Sequence, residues 1–132
     1  MIYRNIFCAG RLCMFGMACL FLTFSATSTF AQTPIINEFL ASNTTTNADA
    51  AGEFDDWIEI YNPTLDPISM LGYYLTDTST NLLKYDFPDT TLHPGAYMLI
   101  WADEDGQQAG LHANFKLSAS NGEQIYLYDS LN

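Results

Sequence analysis

Short apolar runs, separated by clusters of Gly, Pro, Asn, Asp, Ser and Thr, recur along the chain from residue 35 onward. Short runs bounded by such turn-forming residues are typical of β-strands. No window carries a helical stripe, and the alanine-rich stretch 47–54 is short and contains Gly52, so it is predicted to be loop. The pattern indicates an all-β fold, a sandwich or a barrel. Strands are predicted at 35–41, 57–61, 73–76, 84–87, 97–102 and 124–128, with weaker candidates at 68–71 and 115–117.

The stretch WIEIY (57–61) shows the alternation of a strand with two different faces. Ile58 and Ile60 share one face, which we expect to lie in the core. Trp57, Glu59 and Tyr61 share the other, which we expect to be partly exposed. Glu59, an acid within a strand, is expected to accept a structural hydrogen bond, for example from a loop backbone.

Turn signals separate the predicted strands. Asn62-Pro63 should end a strand, because proline cannot donate to the ladder. Gly72 allows a tight bend, and Pro94-Gly95 combines a fixed φ with a residue that tolerates positive φ. Asn121-Gly122 is a hairpin signal. The run 97–102 is apolar throughout, which predicts a central, well-covered strand.

Residues 1–31 have the layout of a secretory signal peptide, with Arg4 and Arg11 early, an apolar run over 12–24, and a small-residue stretch ending at Ala31. Cleavage after Ala31 would leave residues 32–132 as one secreted domain without a membrane span. It would also remove every cysteine, so that the mature chain has neither disulfides nor thiolate chemistry. These cysteines are Cys8, Cys13 and Cys19.

The mature segment is strongly acidic. The whole chain has 15 acids and a formal charge of −11, which becomes −13 when Arg4 and Arg11 leave with the signal peptide. The bases that remain are Lys84 and Lys116. Because phosphate recognition depends on lysine and arginine, we expect no nucleic-acid partner. Solubility through net charge is the simplest explanation of the acidity.

Four segments, in order, resemble the lamin tail domain, the immunoglobulin-like β-sandwich of nuclear lamins and of many secreted bacterial proteins, and the similarity is closest to the bacterial branch. The resemblance implies an immunoglobulin-like β-sandwich. The family pattern continues beyond the final segment, so the resemblance leaves open whether a last strand is lacking here. Such a gap would leave a sheet edge unpaired. The segments are IINEFLASN (35–43), DWIEIYNPTLDPISMLGYYLTD (56–77), YDFPDTTLHPGAYMLIWAD (85–103) and LHANFKLSASNGEQIYLYD (111–129).

For function, the resemblance implies a secreted, non-catalytic accessory or adhesion-type module whose partner is a protein or a cell-surface glycan. One alternative is the N-terminal fragment of a larger secreted enzyme or of a kinase-like spore-coat-type protein. Another is a carbohydrate- or Ca²⁺-dependent binding module. Exposed aromatic rings on a sheet face could stack on sugars, although core packing is their commoner role. The candidate rings are Trp57, Tyr61, Tyr73, Tyr74, Tyr85, Trp101, Tyr126 and Tyr128.

The sequence contains few residues arranged as a catalytic site would require. His93 and His112 are the candidate bases, and neither has a recognisable nucleophile motif near it. Asp56 and Glu59 are three residues apart, so on a strand their side chains point to opposite faces and are not expected to form a catalytic carboxylate pair. The chain is therefore not expected to be an enzyme.

A Ca²⁺ site is the remaining chemical possibility, because clustered carboxylates are ligands for hard cations. The candidates lie in the polar stretch 42–56, which we expect to be mobile, and in the DED stretch 103–105. Neither matches an EF-hand loop, so solvated acidic loops are the favoured interpretation. The candidate ligands of the first stretch are Asp49, Glu53, Asp55 and Asp56.

Overall fold

A computed structural model describes residues 33–120, 122 and 124–130, and the regular elements in these residues are β-strands. The predicted signal peptide at 1–31 lies outside the described residues. The nine strands are β1 (Ile35–Leu40), β2 (Trp57–Tyr61), β3 (Ile68–Ser69), β4 (Tyr73–Thr76), β5 (Tyr85–Asp86), β6 (Thr91–Leu92), β7 (Tyr97–Ala102), β8 (His112–Ala113) and β9 (Tyr126–Asp129).

One layer is a four-stranded sheet with the strand order β1-β2-β7-β8. The first two pairings are antiparallel, and β7 with β8 is parallel. The register between β2 and β7 pairs identical residue types, with Trp57 opposite Trp101 and Ile58 opposite Ile100. Among the described residues, β1 is an edge strand whose outer side has no strand neighbour.

The second layer contains a three-stranded sheet in the order β5-β4-β9 and the two-stranded pair β3-β6. The core lies between the layers and confirms the predicted all-β, immunoglobulin-like β-sandwich. Strands from both layers contribute to it, together with the segment after β8. Its buried members are Ile58, Ile60, Ile68, Met70, Tyr73, Leu75, Phe87, Leu92, Ile100, Ala102, Ala113, Phe115 and Leu117.

The predicted core face of β2 is confirmed, because Ile58 and Ile60 are both fully buried. The opposite face is less open than expected. Trp57 is only 6% exposed, whereas Glu59 and Tyr61 are half-buried. Trp57 lies between Leu40 of β1 and Trp101 of β7 in the ladder. These neighbours shield its side chain from solvent, which the alternation of residues within β2 could not predict.

The strand at 97–102 has its predicted bounds and a central position in the sheet. The solvent exposure of its side chains, however, falls from its first residue to its last. Tyr97 is 57% exposed, whereas Ile100, Trp101 and Ala102 are buried. The neighbouring β8 pairs only with Trp101 and Ala102, which leaves the first half of β7 without a strand on that side. The expectation of a well-covered strand is therefore correct for its second half alone.

The predicted strand at 115–117 is wrong. Phe115 and Leu117 are buried as core residues, but only Lys116 makes a bridge, a single antiparallel one to Asp103. A segment with alternating apolar residues can thus place side chains in the core without forming the backbone hydrogen bonds of a β-strand. The short strands β6 and β8 were not predicted, because two residues carry no alternation to detect.

Two predicted turns are confirmed by their backbone geometry. Gly72 has φ +85° and lies in a turn closed by the Tyr73 N–H, which donates to the Met70 carbonyl at 3.0 Å. Gly95 has φ +67° in a turn closed by the Ala96 N–H. Both place glycine where a side chain would be strained. Asn121 of the predicted hairpin turn lies outside the described residues.

Candidate functional site

Three of the four predicted cation ligands meet in the loop between β1 and β2. Oxygen atoms of Asp49, Glu53 and Asp55 all lie within 4.8 Å of one another. Asp56 does not join them, because its Oδ1 accepts a hydrogen bond from the Asn43 backbone N–H at 2.9 Å. The structure therefore brings three of the four candidate residues together and places the fourth elsewhere.

Asn43 organises this loop from its buried position at the end of β1. Its Nδ2 donates to the carbonyl oxygens of Thr46, Asn47 and Asp55, at 2.5, 3.2 and 2.9 Å. Its Oδ1 accepts from the Thr46 N–H at 2.9 Å. These hydrogen bonds tie the two ends of the loop together. Sequence reasoning missed Asn43, because an asparagine in a polar stretch is an ordinary loop residue.

The clustered carboxylates also have structural contacts. Asp49 Oδ1 accepts the backbone N–H groups of Ala51 and Glu53 at 3.0 and 2.7 Å, which fixes the turn that brings Glu53 back. Glu53 Oε2 accepts from Gln108 Nε2 at 2.8 Å, and the same amide group donates to Asp105 at 2.7 Å. Gln108 thus links the acidic loop to the loop between β7 and β8.

The electrostatics of the cluster are those of crowded like charges. Partial burial is the main cause that raises the pKa of Asp55, and nearby carboxylates raise it further. These carboxylates are, in order of effect, Asp103, Glu53 and Asp49, and Lys116 opposes them. An all-oxygen set of this kind suits Ca²⁺ chemically. Exposed acids are also common without a metal, so the geometry leaves the solvated interpretation in place.

His112 and Asp103 form a buried ion pair that the sequence did not reveal. His112 Nδ1 lies 2.7 Å from Asp103 Oδ2, and their side chains are 1% and 3% exposed. Burial alone would lower the pKa of His112, but the hydrogen bond and charge of Asp103 raise it overall, with smaller contributions from the Ala109 carbonyl and Asp49. Both side chains are therefore almost fully enclosed by protein.

The other predicted candidates occupy separate places. His93 lies exposed in its Pro-Gly turn. Asp103 and Asp105 diverge, since the first faces His112 and the second Gln108. Glu59 does accept a hydrogen bond, but from the side chain of Asn37 on β1, at 2.7 Å, and not from a loop backbone.

The outer face of the four-stranded sheet carries a row of apolar side chains. Ile35, Tyr61 and Tyr97 lie opposite one another on β1, β2 and β7. The two tyrosine rings stack with centroids 4.6 Å apart. Ile35 is 45% and Tyr97 57% exposed, whereas Tyr61 is half-buried. On this face Tyr97 is the one described ring that is well exposed, and the 37% exposed ring of Tyr128 lies on the other layer, so this face does not offer the several coplanar rings of the carbohydrate hypothesis.

A second apolar surface opens at the edge of the sandwich. A groove of about 390 Å³ lies between β1 and the segment that leads into β9. Phe39, whose ladder partner Ile58 is fully buried, is itself 56% exposed there. Phe39 is thus on the core face of the sheet but remains accessible to solvent along this edge. The groove is lined by Phe39, Ala41, Leu117, Ser118, Ala119, Gly122 and Ile125.

Comparison with known proteins agrees with this architecture. No curated protein and no solved structure gives a significant match to the chain. In the described part of the chain, no helix is long and apolar enough to cross a membrane. The sequence profile of the Lamin Tail Domain matches residues 27–132, which is most of the chain. The chain therefore belongs to the lamin tail domain family.

Proposed function

We propose that this lamin tail domain acts outside the cell as a non-catalytic module that binds a protein partner. The observation that carries the proposal is the row Ile35–Tyr61–Tyr97, an exposed apolar strip that crosses three strands of one sheet. Exposed aromatic residues on a polar surface are typical of protein interaction sites. The buried position of the His112–Asp103 pair supports a non-catalytic role.

Site-specific photocrosslinking tests the interaction. A photoreactive phenylalanine analogue replaces Tyr97 in the full chain, which is then added to intact cells of the source organism. A discrete crosslinked protein is expected, because Tyr97 projects from the proposed surface. Leu83, 55% exposed and outside the strands, provides the matched control position. Equal crosslinking from both positions, or none from Tyr97, would contradict the proposal.

Secretion and the absence of catalysis need separate measurements. The charged start, apolar run and small-residue stretch of residues 1–31 support export. The secreted form is expected to begin at Gln32, which N-terminal sequencing of protein from the medium determines. Retention inside the cell with Met1 present would contradict export. Hydrolysis of ester, phosphate, glycoside or peptide substrates that disappears in His112→Asn would contradict the non-catalytic assignment.

A further inference from the structure

We propose that the outer edge of β1, with the apolar groove beside it, binds an extended basic segment of a partner protein as an added β-strand. The inference goes beyond the proposed function, because it concerns the edge of β1 and the groove beside it and not the outer-face row of Ile35, Tyr61 and Tyr97. It names both the binding mode and the chemistry of the partner. Three features of the molecule carry it: the edge, the groove and the charge pattern around them.

The edge supplies the backbone groups. β1 is six residues long, and among the described residues only β2 pairs with it. In an antiparallel ladder, part of the N–H and C=O groups of an edge strand point away from its partner. An extended peptide can pair with these groups, as in other cases of strand addition.

The groove supplies an apolar site at the correct face. Phe39 lies opposite Ile58, so its side chain is on the core face of the sheet. A residue of an added strand that pairs with Phe39 would project to the same face, because paired side chains share a face. Its side chain would enter the groove between Phe39, Leu117 and Ile125. An aliphatic residue at that position would cover the open edge of the core.

The acidic side chains on the outer face of β1 and β2 favour a basic residue next to that aliphatic residue in the added strand. Glu38 lies directly opposite Glu59 across β1 and β2. Like charges in opposed positions are destabilising. The next residue of the added strand would lie beside Glu38 on the outer face, since strand side chains alternate. A lysine or arginine there would offset the repulsion between the two carboxylates.

The same charges disfavour a second copy of this chain as the occupant. Each chain carries a formal charge of −11, and pairing two β1 edges would bring Glu38 and Glu59 of both copies together. The β-bulge between Ile36 and Glu38 further limits long, regular self-pairing. Of the described lysines, Lys84 already forms an ion pair with Asp77 at 2.7 Å.

A peptide-binding experiment with the purified full chain tests the inference. The probe is a fluorescent heptapeptide of alternating Lys and Val, compared with the same peptide built from Glu and Val. Fluorescence anisotropy should show binding of the first and none of the second. A Lys-Val peptide with N-methylated backbone amides should lose at least about tenfold in affinity if backbone pairing holds it.

Variants locate the site. Glu38→Lys should weaken Lys-Val binding about tenfold, because it reverses the charge beside the added strand. Asp89→Lys, an equal charge change in the β5–β6 connection, should weaken it less than about threefold through net charge alone. Phe39→Ala should also weaken binding, since it removes a wall of the groove. Phe39 is more than half exposed, so the fold should tolerate this change.

Three outcomes would overturn the inference. They are equal loss in Glu38→Lys and Asp89→Lys, full binding by the N-methylated peptide, and dimerisation of the chain without peptide at the same concentration. The proposed function is separable from these results. Crosslinking from Tyr97 with no peptide binding would leave the interaction module and remove only the β1 site. Peptide binding without any crosslinked cellular protein would leave the β1 site and remove the proposed function.

Discussion

At the scale of single residues, Asn62 holds the end of β2 from a fully buried position. Its Nδ2 donates to the carbonyl oxygens of Asp66 and Leu92 at 2.8 and 2.9 Å. Its Oδ1 accepts from the N–H and the hydroxyl of Thr64 at 2.9 and 2.7 Å. One side chain thus satisfies polar groups on both sides of the turn that follows Pro63 and ties it to β6.

Asn62→Ala should therefore cost about 2–4 kcal/mol of unfolding free energy, because it removes four side-chain hydrogen bonds from a fully buried position, one of them to the Leu92 carbonyl. Urea denaturation of the two proteins measures the difference. Asn114→Ala is the matched control, since Asn114 is exposed and makes one side-chain bond, to the Lys84 carbonyl. If both variants lose the same stability, the buried network of Asn62 contributes nothing special.

The His112–Asp103 pair makes stability depend on pH. The pKa of His112 is raised in the folded state, so the folded protein binds the proton more tightly than the unfolded chain does. The resulting stabilisation is complete below the unfolded value of 6.5 and is lost as pH rises through the higher folded value. Relative to His112→Asn, the protein should gain stability as the pH falls from the alkaline side toward 6.5.

Denaturant titrations of both proteins across this pH range measure the gain. An NMR titration reports the same effect without a variant, by following the imidazole of His112 beside that of His93 in one sample. A midpoint for His112 at or below 6.5 would contradict the prediction.

At the scale of elements, β2 separates a core face from an outer face. Ile60→Ala should cost about 2–5 kcal/mol, because Ile60 is fully buried and its truncation leaves a cavity. Ile35→Ala removes the same atoms from a side chain that is 45% exposed, and should cost less than about 1 kcal/mol. Chemical denaturation compares the two. Equal losses would mean that the two faces are energetically alike.

The loop between β1 and β2 gives a prediction about metal. If its carboxylates are simply solvated, millimolar Ca²⁺ should shift the melting temperature no more than NaCl at equal ionic strength. Calorimetric titration should likewise show no specific heat. A larger shift with Ca²⁺ that EDTA reverses and Asp55→Asn abolishes would instead establish a site at Asp49, Glu53 and Asp55.

The elements that sequence could predict are those with local signals. β2, β4 and β7 have their predicted bounds, because alternation or an unbroken apolar run is closed by turn residues such as Asn62 and Gly72. The acidic cluster was found because its members are close along the chain. The His112–Asp103 pair and the roles of Asn43 and Asn62 depend on tertiary contacts, for which polar side chains in loops give no local signal.

At the scale of the whole molecule, the excess of acids opposes folding through repulsion. The chain of 132 residues has a formal charge of −11. Screening should relieve the repulsion, so raising NaCl from about 20 mM to about 500 mM should increase the melting temperature by a few degrees. Chloride avoids the separate stabilising effect of sulfate. A decrease would mean that local pairs such as Lys84–Asp77 outweigh the general repulsion.

The pairing of β9 with β4 also sets an order of events during synthesis. Tyr73 pairs with Asp129, and Thr76 with Tyr126, across most of the length of the domain. The three-stranded sheet therefore cannot be completed until the C-terminal segment has left the ribosome. Contacts this distant in sequence are slow to form. Until then β4 can pair only with β5 in this sheet, and its other edge has no strand neighbour among the described residues.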